Sequence, residues 1–294
     1  MDIQQLAAEI GKLGREISPS TLGGARALYT PFHSVAPFDG VTLHRDIRYA
    51  AHERNRLDLF TPVEPTVAPR PVIVFVHGGG FTGGDKYTPD TPFFDNIGLW
   101  AVRNGLVGIN ITYRLAPEHV WPAAVEDIAD VVAWIKTNCR GYGIDENRIY
   151  LIGQSAGASL VATYLSHPQI SVPQPHGIAG AVLMSGMYDL VTLTHNRNSI
   201  AFYGDDASLY AERSSIHGLC STDVPLLITI AEHEPAMFER QTLDLIDRIQ
   251  AQRRKLPRFL HLIGHNHLSG ILHLGLPGDA LGPQLLNLIR ESRR

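Results

Sequence analysis

Cysteine is scarce in this chain: Cys139 and Cys220 are the only two among 294 residues. Two thiols so far apart make no disulfide framework, and neither has a base beside it in sequence, so a cysteine nucleophile is not expected. The pair reads as buried or half-buried free thiols in a reducing compartment. Long apolar runs are also lacking. Val72–Val76 is typical of their length, far short of the ~20 residues that span a membrane as a helix. Met1 to Ile17 shows no basic stretch leading into an apolar core with a small-residue cleavage site, so no signal peptide is expected. The chain is read as a soluble cytoplasmic protein. An excess of basic charge is missing as well, with 25 Lys and Arg against 29 Asp and Glu and a formal net charge of -4. That balance predicts no nucleic-acid partner. The one basic cluster, Arg253-Arg254-Lys255 with Arg258, reads as a solvated helix end whose cations complement the dipole. Internal repeats and low-complexity tracts are absent.

What is present is an ordinary globular composition, 44% hydrophobic and 18% charged, in a chain long enough to bury a large core without a disulfide or metal staple. Ile3, Leu6, Ile10, Leu13 and Ile17 are spaced 3, 4, 3, 4, an apolar stripe that predicts a helix docked on something. Residues 1–40 are therefore read as an N-terminal helical segment, docked on its own domain or, alternatively, capping a pocket or contacting a second copy. Residues 41–294 are read as one domain. Its first part, residues 41–61, reads as extended, and the proline-rich stretch from Pro62 to Pro71 as a loop. Six strands are then predicted, at Val72–Val76, Leu106–Thr112, Ile149–Ile152, Ile178–Met184, Leu226–Ile230 and Phe259–Ile263. Helical patterns occupy 122–138, 155–166, 237–251 and 283–290. Strands alternating with helices predict an α/β fold with a mostly parallel sheet covered on both faces. The connection from Gly186 to Pro225 is long and is read as a lid-like insertion.

Two motifs sit at strand ends. Gly153-Gln154-Ser155-Ala156-Gly157 lies directly between a predicted strand and a predicted helix. A serine on such a tight turn projects its hydroxyl at the C-terminal edge of a sheet, and the helix behind it offers backbone N–H groups to an anion. The bare motif arises by chance in roughly one such sequence in eight; its placement is what gives it weight. His77-Gly78-Gly79-Gly80-Phe81 follows the first strong strand. Its glycines suit a loop that presents N–H groups to developing negative charge. A phosphate-binding loop would want a following Lys-Ser or Lys-Thr, and Phe81-Thr82-Gly83-Gly84 supplies none.

With HGGGF at 77–81, TYRLAPEHVWPAAVEDI at 112–128, GQSAG at 153–157 and AEHEP at 231–235, the chain resembles α/β-hydrolases of the hormone-sensitive-lipase-like carboxylesterase group. The resemblance covers about residues 40 to 290. It implies the α/β-hydrolase fold with a small helical cap, Ser155 as nucleophile, and an oxyanion hole from the N–H groups of Gly79, Gly80 and Ala156. His77 would buttress the loop. The family pattern A-E-x-D-P places the acid at Glu234, where a glutamate stands in for the commoner aspartate. Glu232 reads as structural, and Asp189 after the fourth predicted strand is the alternative acid. The loop Gly264-His265-Asn266-His267-Leu268-Ser269 offers two histidines, and the family's (N/D)-H-(F/L)-S pattern selects His267. The alternative reading of His265 and His267 as a metal pair lacks a third ligand in the segment. His273 reads as packing or surface.

The expected function is a serine carboxylesterase acting on small or aromatic-acid esters, with a Ser155–His267–Glu234 triad, no cofactor and no metal. The same machinery could serve an arylformamidase-like amidase. Plant hormone receptors use a related scaffold with catalysis disabled, typically at the histidine, which His267 argues against. Tyr113, Trp121, Phe202 and Tyr203 are candidates for lining the site or for plain core. A homodimer is an open expectation.

Overall fold

Alternate side chains of one central strand feed two separate apolar cores. In the computed structural model, which describes residues 3–36, 38–64, 68–170 and 177–292, Val72, Val74 and Val76 enter one core while Ile73 and Phe75 enter the other. A strand's side chains alternate between its faces, so a continuous apolar run requires cover on both.

The sheet has eight strands: β1 (Val41–Arg48), β2 (Arg56–Pro62), β3 (Arg70–Val76), β4 (Val107–Ile111), β5 (Ile144–Gln154), β6 (Ile178–Met184), β7 (Leu226–His233) and β8 (Arg258–Asn266). Their order is β1-β2-β4-β3-β5-β6-β7-β8. β2 runs antiparallel to β1 and β4, and every later pairing is parallel. The α/β class and the six strands expected after residue 70 are present; residues 41–61 form the antiparallel pair at one edge. Pro65 to Val67, within the stretch read as a loop, lie outside the described residues.

Helices cover both faces. In chain order they are α1 (Leu6–Leu13), α2 (Pro19–Tyr29), α3 (Asp95–Arg103), α4 (Ala123–Asn138), α5 (Ala156–Ser166), α6 (Arg197–Tyr203), α7 (Tyr210–Arg213), α8 (Ile216–Ser221), α9 (Ala236–Arg253), α10 (Ser269–Leu272) and α11 (Leu281–Glu291). Val125, Ile128, Val132 and Ile135 of α4 pack with Leu160 and Val161 of α5 in the first core. Leu6 and Ile10 of α1, Tyr29 of α2, Trp100 of α3 and Leu285 of α11 build the second.

The N-terminal stripe is shorter than its spacing predicts. α1 stops at Leu13, Gly14 follows at φ 78°, and Ile17 is 43% exposed. A second helix then starts at Ser18, whose hydroxyl accepts the Thr21 N–H, with Pro19 in the first turn. A capping serine followed by proline is a start signal that outweighs one more apolar residue in register. The 186–225 segment carries α6, α7 and α8, and buries Tyr188, Leu190, Phe202 and Leu219 in the first core.

Candidate active site

Register alone brings the strand ends to one edge of the sheet. Val76 pairs with Gly153, Gln154 with Met184, Met184 with Thr229, and His233 with Asn266. The residues just beyond β3, β5, β6, β7 and β8 are His77, Ser155, Ser185, Glu234 and His267. All five sit at the C-terminal edge, the usual crevice of open parallel sheets.

Ser155 occupies a sharp elbow, at φ 56° and ψ -121°, between β5 and α5. Its N–H donates to Met184 O at 2.8 Å, which pins the turn to the neighbouring strand. The elbow needs close backbone approach. A Cβ on Gly157 would lie 2.0 Å from Val76 O, so only glycine lets α5 start so near β3.

His267 meets both partners. Its Nε2 lies 2.8 Å from Ser155 Oγ and its Nδ1 lies 2.7 Å from Glu234 Oε2. A carboxylate can only accept, so Nδ1–H donates to Glu234 and Nε2 is left to accept the Ser155 hydroxyl. Glu234 is fully buried, and the Ser185 hydroxyl donates to its other oxygen, Oε1. The His267 carbonyl accepts from Gln154 Nε2 at 2.8 Å, and the Phe238 ring packs 4.5 Å from the imidazole. From the N-terminal segment, Arg15 Nε donates to Glu234 O at 2.7 Å.

The glycine loop runs beside the serine. A Cβ on Gly78 would stand 3.1 Å from Ser155 Cβ. Gly79 adopts φ 128°, a region closed to side-chain-bearing residues. Among the described residues, the N–H groups of Gly79, Gly80 and Ala156 donate to no protein acceptor. His77 supports this loop from within. It is fully buried, stacks on Tyr113 at 4.4 Å, and donates from Nδ1 to Gly78 O at 2.6 Å. Burial pushes its pKa down to about 3, so the ring is neutral. Tyr113, also fully buried, donates its hydroxyl to His77 O at 2.8 Å. Phe81 stacks on Phe202 of α6 at 4.5 Å, with Tyr203 edge-on at 5.3 Å. The backbone N–H of Trp121 donates to Phe202 O at 2.8 Å.

The alternative candidates point elsewhere. Asp189 pairs with Arg248 at 3.1 Å and accepts the Val191 N–H, away from His267. Glu232 accepts the Gly264 N–H at 2.7 Å and so braces the end of β8. His265 meets Ser269 Oγ at 3.0 Å, and His273 donates to Pro277 O at 3.0 Å. His265 and His267 therefore face different partners. Ser185, Arg15 and Phe238 were not foreseen. No motif marks them; they reach the site through strand order and helix packing.

Known proteins resemble this chain in both sequence and fold. Residues 57–245, well over half of the chain, match the model of the BD-FAE family. The chain belongs to the BD-FAE family. This agrees with the resemblance to hormone-sensitive-lipase-like carboxylesterases. Among curated relatives of this BD-FAE chain, Esterase LipC of Mycobacterium tuberculosis is 24% identical over 85% of the chain and 66% of its own length. A probable isoprenylcysteine alpha-carbonyl methylesterase, ICMEL2 of Arabidopsis thaliana, is 34% identical over 53% of the chain. That match spans only 38% of the relative's length. A solved bacterial heroin esterase superposes with a TM-score of 0.71 at 25% identity, covering 99% of this chain and 98% of that one. Esterase B of Lactobacillus rhamnosis gives 0.76 at 16% identity, covering 99% and 96%, and speaks for the α/β-hydrolase fold. No helix among the described residues is long and apolar enough to cross a membrane.

Proposed function

We propose that this protein is a serine carboxylesterase working through an acyl-enzyme, with Ser155, His267 and Glu234 as its triad. The observation that carries the reading is the unbroken relay from Ser155 Oγ to His267 Nε2 at 2.8 Å and from His267 Nδ1 to Glu234 Oε2 at 2.7 Å. Ser155 Oγ attacks the ester carbonyl while Nε2 takes its proton. The tetrahedral oxyanion is received by the N–H groups of Gly79, Gly80 and Ala156. The imidazolium then protonates the leaving alcohol, and water repeats the cycle on the acyl-enzyme. Glu234 holds the tautomer and stabilises the imidazolium. Neutral His77 acts on the loop alone. The esterase names of the relatives favour an ester over an amide as substrate.

Ser155→Ala should lower hydrolysis of p-nitrophenyl acetate or butyrate by at least about a thousandfold while the fold is kept. Wild-type-like turnover by that variant would remove Ser155 from the mechanism. Parallel assays with formanilide substrates decide between ester and formamide.

A further inference from the structure

The Ser185 hydroxyl is spent on the acid rather than on its own turn. Ser185 follows β6, one strand over from the nucleophile, and is only 4% exposed. Its backbone N–H is already used on Thr229 O, at 3.1 Å. Its side chain donates to Glu234 Oε1, while His267 holds Oε2. The residue sits at φ 53°, a left-handed conformation that favours glycine or asparagine over serine. On backbone grounds alone glycine would fit better there, and what glycine would lack is the hydroxyl.

We propose that Ser185 is a positioning residue for the acid: its O–H fixes the rotation of the Glu234 carboxylate so that Oε2 faces His267 Nδ1. This rests on the triad reading above. Glutamate has one more rotatable bond than aspartate, and a carboxylate held at one oxygen only can swing about its last torsion. Gripped at both oxygens, it has one orientation. A fully buried carboxylate also pays heavily for an oxygen with no donor.

The test uses Ser185→Ala and Ser185→Gly in the full chain, with folding checked by near-ultraviolet circular dichroism. Glycine suits the backbone conformation, so it keeps the experiment open if alanine misfolds. Both variants should lose about tenfold in kcat with KM changed less than about twofold. In a Glu234→Ala background, loss of the Ser185 hydroxyl should change the residual rate by less than about twofold, because its target is gone. Wild-type kcat in folded Ser185→Gly would overturn the proposal, since a merely structural hydroxyl would alter stability and leave kcat alone. An undiminished effect of Ser185→Gly in the Glu234→Ala background would overturn it too. If Glu234→Ala by itself turns over like wild type, the triad assignment fails instead.

Discussion

A single methylene separates Glu234 from the aspartate that its motif usually carries, and that length is used. The carboxylate stretches from the end of β7 to reach Nδ1 of His267 at 2.7 Å. Glu234→Asp should therefore withdraw the acid by more than 1 Å and lower kcat by about 10- to 100-fold with little change in KM, as read by steady-state kinetics on a p-nitrophenyl ester. The elbow allows still less latitude. Gly157→Ala would place a methyl group 2.0 Å from Val76 O and 2.7 Å from His77 O, and backbone atoms of a central strand end cannot move aside as a flexible side chain would. Loss of more than about 3 kcal/mol is expected in chemical denaturation, or no soluble protein at all. The serine and the histidine were legible because each lies in a short motif against a strand end. Ser185 was not, because its significance comes from the neighbour that β6 acquires through its pairing with β7.

At the level of elements, α1 packs on β8, the strand that delivers His267. Ala7 lies against Gly264, and Gly11 against the His233 imidazole. Ile10 is fully buried in the second core. Ile10→Ala should cost about 2–5 kcal/mol of unfolding free energy, measured in urea, because deleted methyl groups leave a cavity that packed helices close only in part. The spacing of Leu6, Ile10 and Leu13 predicts a docked helix, and that was readable. Its seat beside the Glu234 loop, where Arg15 holds the Glu234 carbonyl, depends on β7 and β8 being neighbours at the sheet's far edge. The helix α3 escaped the pattern because nearly all of it is buried. A helix covered all round has no polar face to mark its period.

Over the whole molecule, burial of neutral histidines couples stability to pH. His77 is pushed down to about 3 and His265 to about 4, in both cases chiefly by desolvation. Their pKa values lie below the unfolded value of about 6.5, so the unfolded chain binds the extra protons. Stability from these two groups is thus fully present above pH 6.5 and drains away as pH falls toward 4. Between pH 7.5 and 5 each should contribute a loss of about 2 kcal/mol. Urea denaturation at both pH values should show this fall, and His265→Gln should reduce it by about half. A stability that stays flat over that window would mean that these rings protonate in the folded state.

What the sequence determined by itself was the alternation of strand and helix and the chemical type of three side chains at strand ends. Hydrophobic periodicity and turn-forming glycines are local properties that survive in one dimension. The tertiary structure decided which strands are neighbours, and so which hydroxyl grips the second oxygen of Glu234 and which arginine of the N-terminal segment holds its carbonyl. Those contacts join residues 49 and 219 positions apart. Only a folded sheet pays the entropy of bringing such distant groups together.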